Sequence, residues 1–127
     1  MADIRKVTDS FSVAPQITVG DLAEAARLGF RLVINNRPDG EDPAQPTSAQ
    51  MAEAAKAAGL DYLHAPVVGR PSPEATEAVA AAVAKADGPV LAFCRSGTRS
   101  INTWAIGQAA SGARPREELG KLGQAAG

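Results

Sequence analysis

The residues best suited to chemistry lie together in FCRSGTRS, residues 93–100. There the only cysteine of a 127-residue chain, Cys94, precedes Arg95, Ser96, Gly97, Thr98, Arg99 and Ser100. A thiolate is the reactive form of cysteine, and it forms below a pH of ~8.5 only where donors or positive charge stabilise it. A short segment opening a helix supplies both, because successive backbone N–H groups curl into a concave nest at the helix's positive end. Gly97 gives the backbone freedom that such a curl needs, and Arg99 carries a planar fork that can close over an anion. Ser100 can cap the helix or donate to the sulfur, and Arg95 can steer anions inward. The commonest fate of a lone cysteine is burial as a small hydrophobe. The glycine, arginines and serine around Cys94 argue against that fate and for an anion-binding nucleophile.

A nucleophile needs elements to hold it. PVLAFC, residues 89–94, is apolar throughout, as a strand covered on both faces should be, and SINTWAIGQAAS after it has helical character. Upstream the same alternation repeats. Thr18 caps a helix in VGDLAEAARLG, and FRLVINN reads as a strand running into the loop RPDGEDPAQP. SAQMAEAAKAAG is a helix closed by Gly59, and DYLHAPV a strand. Ser72 and Pro73 open a further helix that stops near Gly88. FSVAPQ, residues 11–16, reads as an edge strand, where Pro15 is tolerated. RPREELGKLGQAAG adds a short terminal helix. Alternation of this kind predicts an α/β fold with a mostly parallel sheet flanked by helices, formed by residues 1–127 as one domain. Ligands of such sheets bind beyond the carboxyl ends of the strands, where Cys94 falls.

Composition narrows the function classes. A net charge of −1 offers no basic excess for nucleic acid. No stretch approaches the ~20 apolar residues that span a bilayer, and the amino terminus lacks a secretory pattern, so a cytoplasmic location is expected. One cysteine and one histidine cannot make a structural zinc site, and no cofactor is required. Trp104 and Ile101 read as the buried face of the last confident helix. His64, without a sequence partner, is left outside the reacting set.

The chain as a whole resembles a known family. VINNRPDGE, QP, AAGLDYLHAPV, GPVLAFCRSGTRS and WAIGQAASG, in that order and across about residues 10–126, are similar to the phosphatase-like domain of beta-lactamase hydrolase-like proteins. The cysteine loop alone also resembles those of rhodanese sulfurtransferases and cysteine-dependent phosphatases. The resemblance implies a protein tyrosine phosphatase-like fold, sometimes found beside a metallo-hydrolase domain linked to persulfide oxidation. Members of the family are described both as phosphatase-like hydrolases and as sulfurtransferases.

Two departures from the phosphatase pattern bear on the reaction. Phosphatases of this class place five residues between cysteine and arginine, whereas Cys94 and Arg99 enclose four. The loop VVGRPSP, where such enzymes carry an acid, holds no carboxylate before Glu74. Asp39 is the remaining acid candidate, although PDG is also a turn in which aspartate bonds its own backbone. Arg37, at the same strand end, is either a second anion contact or a surface ion pair. Sulfane transfer needs no acid, because sulfite and thiolates leave unprotonated. The leading expectation is therefore a rhodanese-like sulfurtransferase. Cys94 would carry a persulfide from a thiosulfate- or persulfide-like anion to a thiol, with Arg99 on the donor and the amides of residues 95–100 on the sulfur. A phosphatase-like hydrolase acting on a phosphate ester is the alternative. A non-catalytic anion-binding or partner domain is a second.

Overall fold

The computed structural model describes residues 3–110. Three helices begin where a hydroxyl satisfies amides that have no helical partner. Thr18 accepts from Asp21 N–H to open α1 (Val19–Arg27), Thr47 from Gln50 N–H to open α2 (Ser48–Ala57), and Ser72 from Ala75 N–H to open α3 (Pro73–Lys85). At Thr18 and Thr47 the third residue's side chain returns the bond, completing a capping box. A fourth helix, α4, spans Thr98–Ala110.

The strands are β1 (Arg5–Thr8), β2 (Phe11–Ala14), β3 (Leu32–Asn35), β4 (Asp61–His64) and β5 (Val90–Phe93), arranged in the order β1-β2-β5-β3-β4. β1 runs antiparallel to β2, and the other pairings are parallel. The mostly parallel α/β architecture is thus as the sequence predicts, with one correction. Residues 11–14 do not form an edge strand, because β1 lies outside them. Pro15 falls one residue past the last paired position, Ala14, so the ladder asks no N–H of it. The predicted terminal helix lies outside the described residues.

Period-two alternation sends successive strand residues to opposite faces. Ile34, Ala92 and Phe11 meet Val79 and Trp104 on one side, while Val33, Leu91 and Phe93 meet Leu22 and Met51 on the other. Trp104 stacks on Phe11 with ring centroids 4.9 Å apart, and Ile101 packs against the same cluster. The tryptophan is part of the core, as the sequence predicts. Register aligns Ala14 with Phe93, Phe93 with Asn35 and Asn35 with His64, so four parallel strands finish at one rim. The loops that follow them must meet there.

Candidate functional site

Cys94 comes directly after β5, and its loop is braced by the chain leaving β2. Cys94 N–H donates to Ala14 O at 3.4 Å, and Gln16 N–H donates to Arg95 O at 3.3 Å. The curl then turns inward, and Gly97 N–H donates to Cys94 Sγ at 3.0 Å. Gly97 holds φ of +93°. A Cβ there would meet Ala14 at an ordinary 3.6 Å, so the backbone angle, and not lack of space, demands glycine. Gly97 O accepts from Ile101 N–H at 3.1 Å, locking the loop into the first turn of α4.

The thiol is fully buried, but it is not sealed in hydrocarbon. Burial pushes its pKa up, and this is the largest single influence. It is outweighed by the Ser100 N–H and hydroxyl and by the amides of Ser96 and Gly97, so the net result lies below the usual thiol value. Ser100 Oγ is itself buried and meets no partner in full hydrogen-bond geometry among the described residues. It is close enough to favour the thiolate and free to turn towards it.

Arg99 projects from the first turn of α4 and is committed on one side. Its Nη1 and Nη2 donate to the two Glu41 oxygens at 2.6 and 2.7 Å, and Nη1 also donates to Val67 O at 2.7 Å. Arg37 donates through Nε to the same Glu41 Oε1 at 2.9 Å and through Nη1 to Gln16 Oε1 at 2.9 Å. One carboxylate therefore ties together two guanidinium groups, Arg37 four residues before it and Arg99 58 residues after it along the chain. Arg99, whose pKa is raised chiefly by Glu41, also feels the Cys94 charge. Arg37 is thus both a buried ion pair and a wall of the pocket, not a surface pair.

Above the loop lies a cavity of about 400 Å³ lined by Arg37, Glu41, Asp42, Pro43, Arg95 and Arg99. Arg95 is exposed at its rim. Ser96 Oγ donates to Thr98 Oγ1 at 3.2 Å and accepts from Thr98 N–H at 3.4 Å. Asp39 does not line this cavity. Its carboxylate accepts from Ser48 N–H at 2.7 Å, at the start of α2, so the acid singled out in the sequence is engaged elsewhere. Glu41 and Asp42, two and three positions on, line the cavity instead. Their signal was available, since an acid just after Arg37 sits in a loop bound for the same rim. His64 Nε2 lies 2.9 Å from Arg37 O, holding that loop without lining the cavity. Among the described residues no cluster of His, Cys, Asp or Glu is placed to hold a metal, and no helix is long and apolar enough to cross a membrane.

The two arginines hold the Glu41 carboxyl down at about 2, with Arg99 the larger cause. A carboxyl depressed on folding stabilises the native state above its unfolded value and loses that contribution as pH falls through its folded value. Wild type should therefore melt above Glu41→Gln at pH 5 and higher. The gap should close as pH falls from about 4.5 towards about 2. Thermal melts across that range check it, and a gap independent of pH would refute the ionic role.

Residues 3–111 match the family model for the beta-lactamase hydrolase-like protein, phosphatase-like domain. A beta-lactamase hydrolase-like protein of Agrobacterium fabrum is 37% identical over 123 residues, covering 94% of this chain and 28% of the relative. The chain thus spans under a third of that relative's length. Among solved structures, a candidate phosphatase from Neisseria meningitidis superimposes with a TM-score of 0.83 at 35% identity, over 97% of this chain and 87% of the other. A candidate phosphatase from Shewanella putrefaciens gives a TM-score of 0.78 at 22% identity, over 96% and 76%, a likeness of fold alone.

Proposed function

Since the chain belongs to the family of phosphatase-like domains of beta-lactamase hydrolase-like proteins, we propose that it is a phosphatase-like hydrolase whose nucleophile is Cys94. The observation that carries this reading is the convergence of the Gly97, Ser96 and Ser100 amides on Sγ, with Arg99 beside it. Sγ attacks phosphorus while the ester P–O bond breaks. The departing oxygen takes its proton from Asp42, which, unlike Asp39, lines the cavity; its Oδ1 accepts from Ala44 N–H at 2.8 Å, and it is not tied to an arginine as Glu41 is. Water then gives a proton to the Asp42 carboxylate and attacks the cysteinyl phosphate. The S–P bond breaks, phosphate leaves, and the thiolate returns. The loop amides and Arg99 hold the charge that gathers on the equatorial oxygens.

The sulfurtransferase reading stands second, on two observations. The loop encloses four residues where phosphatases of this class have five, which suits one sulfur atom better than three oxygens. Glu41, the cavity acid nearest to Arg99, is ionised and so cannot donate a proton. On this reading Cys94 holds a persulfide, and a metallo-hydrolase that oxidises persulfides is the natural partner.

Initial rates on an aryl phosphate, set against thiosulfate or a glutathione persulfide, separate the two. Phosphate release that falls about 10²-fold in Asp42→Asn, and less for esters with good leaving groups, supports the hydrolase. A gain of one sulfur atom on Cys94 without phosphate release would replace it with the transferase.

A further inference from the structure

We infer that the reacting group recognised at Cys94 carries a single negative charge, and that Glu41 is the residue that sets this preference. The inference deepens the proposed function and rests on Cys94 and Arg99 forming the reacting site.

The argument begins with the donors of Arg99. A guanidinium offers five N–H bonds in a fixed plane. Glu41 takes the end-on pair, one from each terminal nitrogen, and Val67 O takes the second hydrogen of Nη1. What remains is Nε–H and one hydrogen of Nη2, which share one edge and point the same way. Arg99 therefore keeps a single two-donor edge for a ligand, and the Cys94 charge is already felt there.

Charge tells the same story. Arg37, which is 4% exposed, and Arg99 both pair with the Glu41 carboxylate, whose side chain is 27% exposed, and Cys94 supplies the thiolate beneath them. Two positive groups face two negative ones, so the occupied interior is balanced before any ligand arrives. Arg95 and Asp42 sit at the rim, where solvent weakens their influence. A doubly charged head would bring two uncompensated charges into a partly buried, neutral site beside a thiolate. A singly charged head of the same shape brings one, and the free edge of Arg99 with the loop amides can meet it. Phosphate monoester monoanions, phosphodiesters and persulfide anions belong to the favoured class, and fully ionised monoesters do not.

Methanesulfonate and methylphosphonate test this, because they share a tetrahedral shape and, in mildly alkaline buffer, carry one and two charges. Each is titrated for its ability to protect Cys94 of the wild-type protein from alkylation by iodoacetamide, a readout that needs no turnover. Methanesulfonate should protect at about tenfold lower concentration than methylphosphonate. In Glu41→Gln the interior gains one positive charge, and methylphosphonate should gain about tenfold on methanesulfonate, erasing or reversing the order. Glu41→Asp, which keeps the charge while shortening the reach, should retain the wild-type order. Equal protection by the two anions in the wild type, preference for methylphosphonate, or protection by neither would each overturn the inference, whatever Glu41→Gln does. An order unchanged in folded Glu41→Gln would remove Glu41 from it. Failure of the proposed hydrolase would appear separately, as no turnover of aryl phosphates in mildly acidic buffer, where they carry one charge, nor of aryl phosphodiesters, alongside intact protection.

Discussion

Serine in place of Cys94 is expected to abolish turnover, with a loss of about 10³-fold or more on whichever substrate the wild-type protein uses. The geometry changes little, because a hydroxyl fits where Sγ lies and Gly97 N–H, 3.0 Å from the sulfur, can donate to it. The chemistry changes much more. The amides of Ser96, Gly97 and Ser100 lower the thiol pKa against a strong opposing effect of burial, and no comparable help would make a serine alkoxide at neutral pH. Initial rates together with a melting curve check this. A folded Cys94→Ser protein within tenfold of wild type would show that another group is the nucleophile.

The second large effect is expected at Arg99. Lysine there keeps the positive charge but loses the fork, and with it the paired bonds to Glu41 and the bond to Val67 O. An ammonium is a point charge that cannot present two parallel donors while gripping a carboxylate. Loss of one positioned donor in such sites costs about 10²- to 10³-fold, and Arg99→Lys should fall in that range for kcat/KM. Because the charge is retained, the pH dependence of Cys94 alkylation should move little. A fall in turnover with an unshifted alkylation curve separates geometry from charge. Turnover close to wild type would mean that the fork plays no part.

Much of this was legible in the chain. Thr18 with Asp21, Ser72 with Pro73 and the stop at Gly59 are local signals, and the helices begin and end where those residues put them. The cysteine loop was legible for the same reason, since Cys94, Gly97 and Arg99 act within one turn of chain. What escaped was non-local. Glu41 meets Arg99 across 58 residues, and nothing in PDGED says which of its three acids turns to the rim and which caps α2. Asp39 has the turn position, so it drew attention, but its carboxylate goes to Ser48. β1 escaped because RKVT carries two charges in four residues and does not look apolar enough to pair. Missing it made residues 11–14 look like an edge despite four buried positions in a row.

That overlooked strand has a consequence for solubility. Short length, lysine and a broken ladder are the features that keep open sheet margins from recruiting other chains. β1 has all three: four residues, Arg5 and Lys6 facing solvent, and a register shift between Lys6 and Thr8. Beneath it lies Phe11–Ala14, wholly buried and free of charge. Peeling β1 away would bare a sticky ribbon able to template intermolecular sheets, so these residues act as a guard against fibre growth.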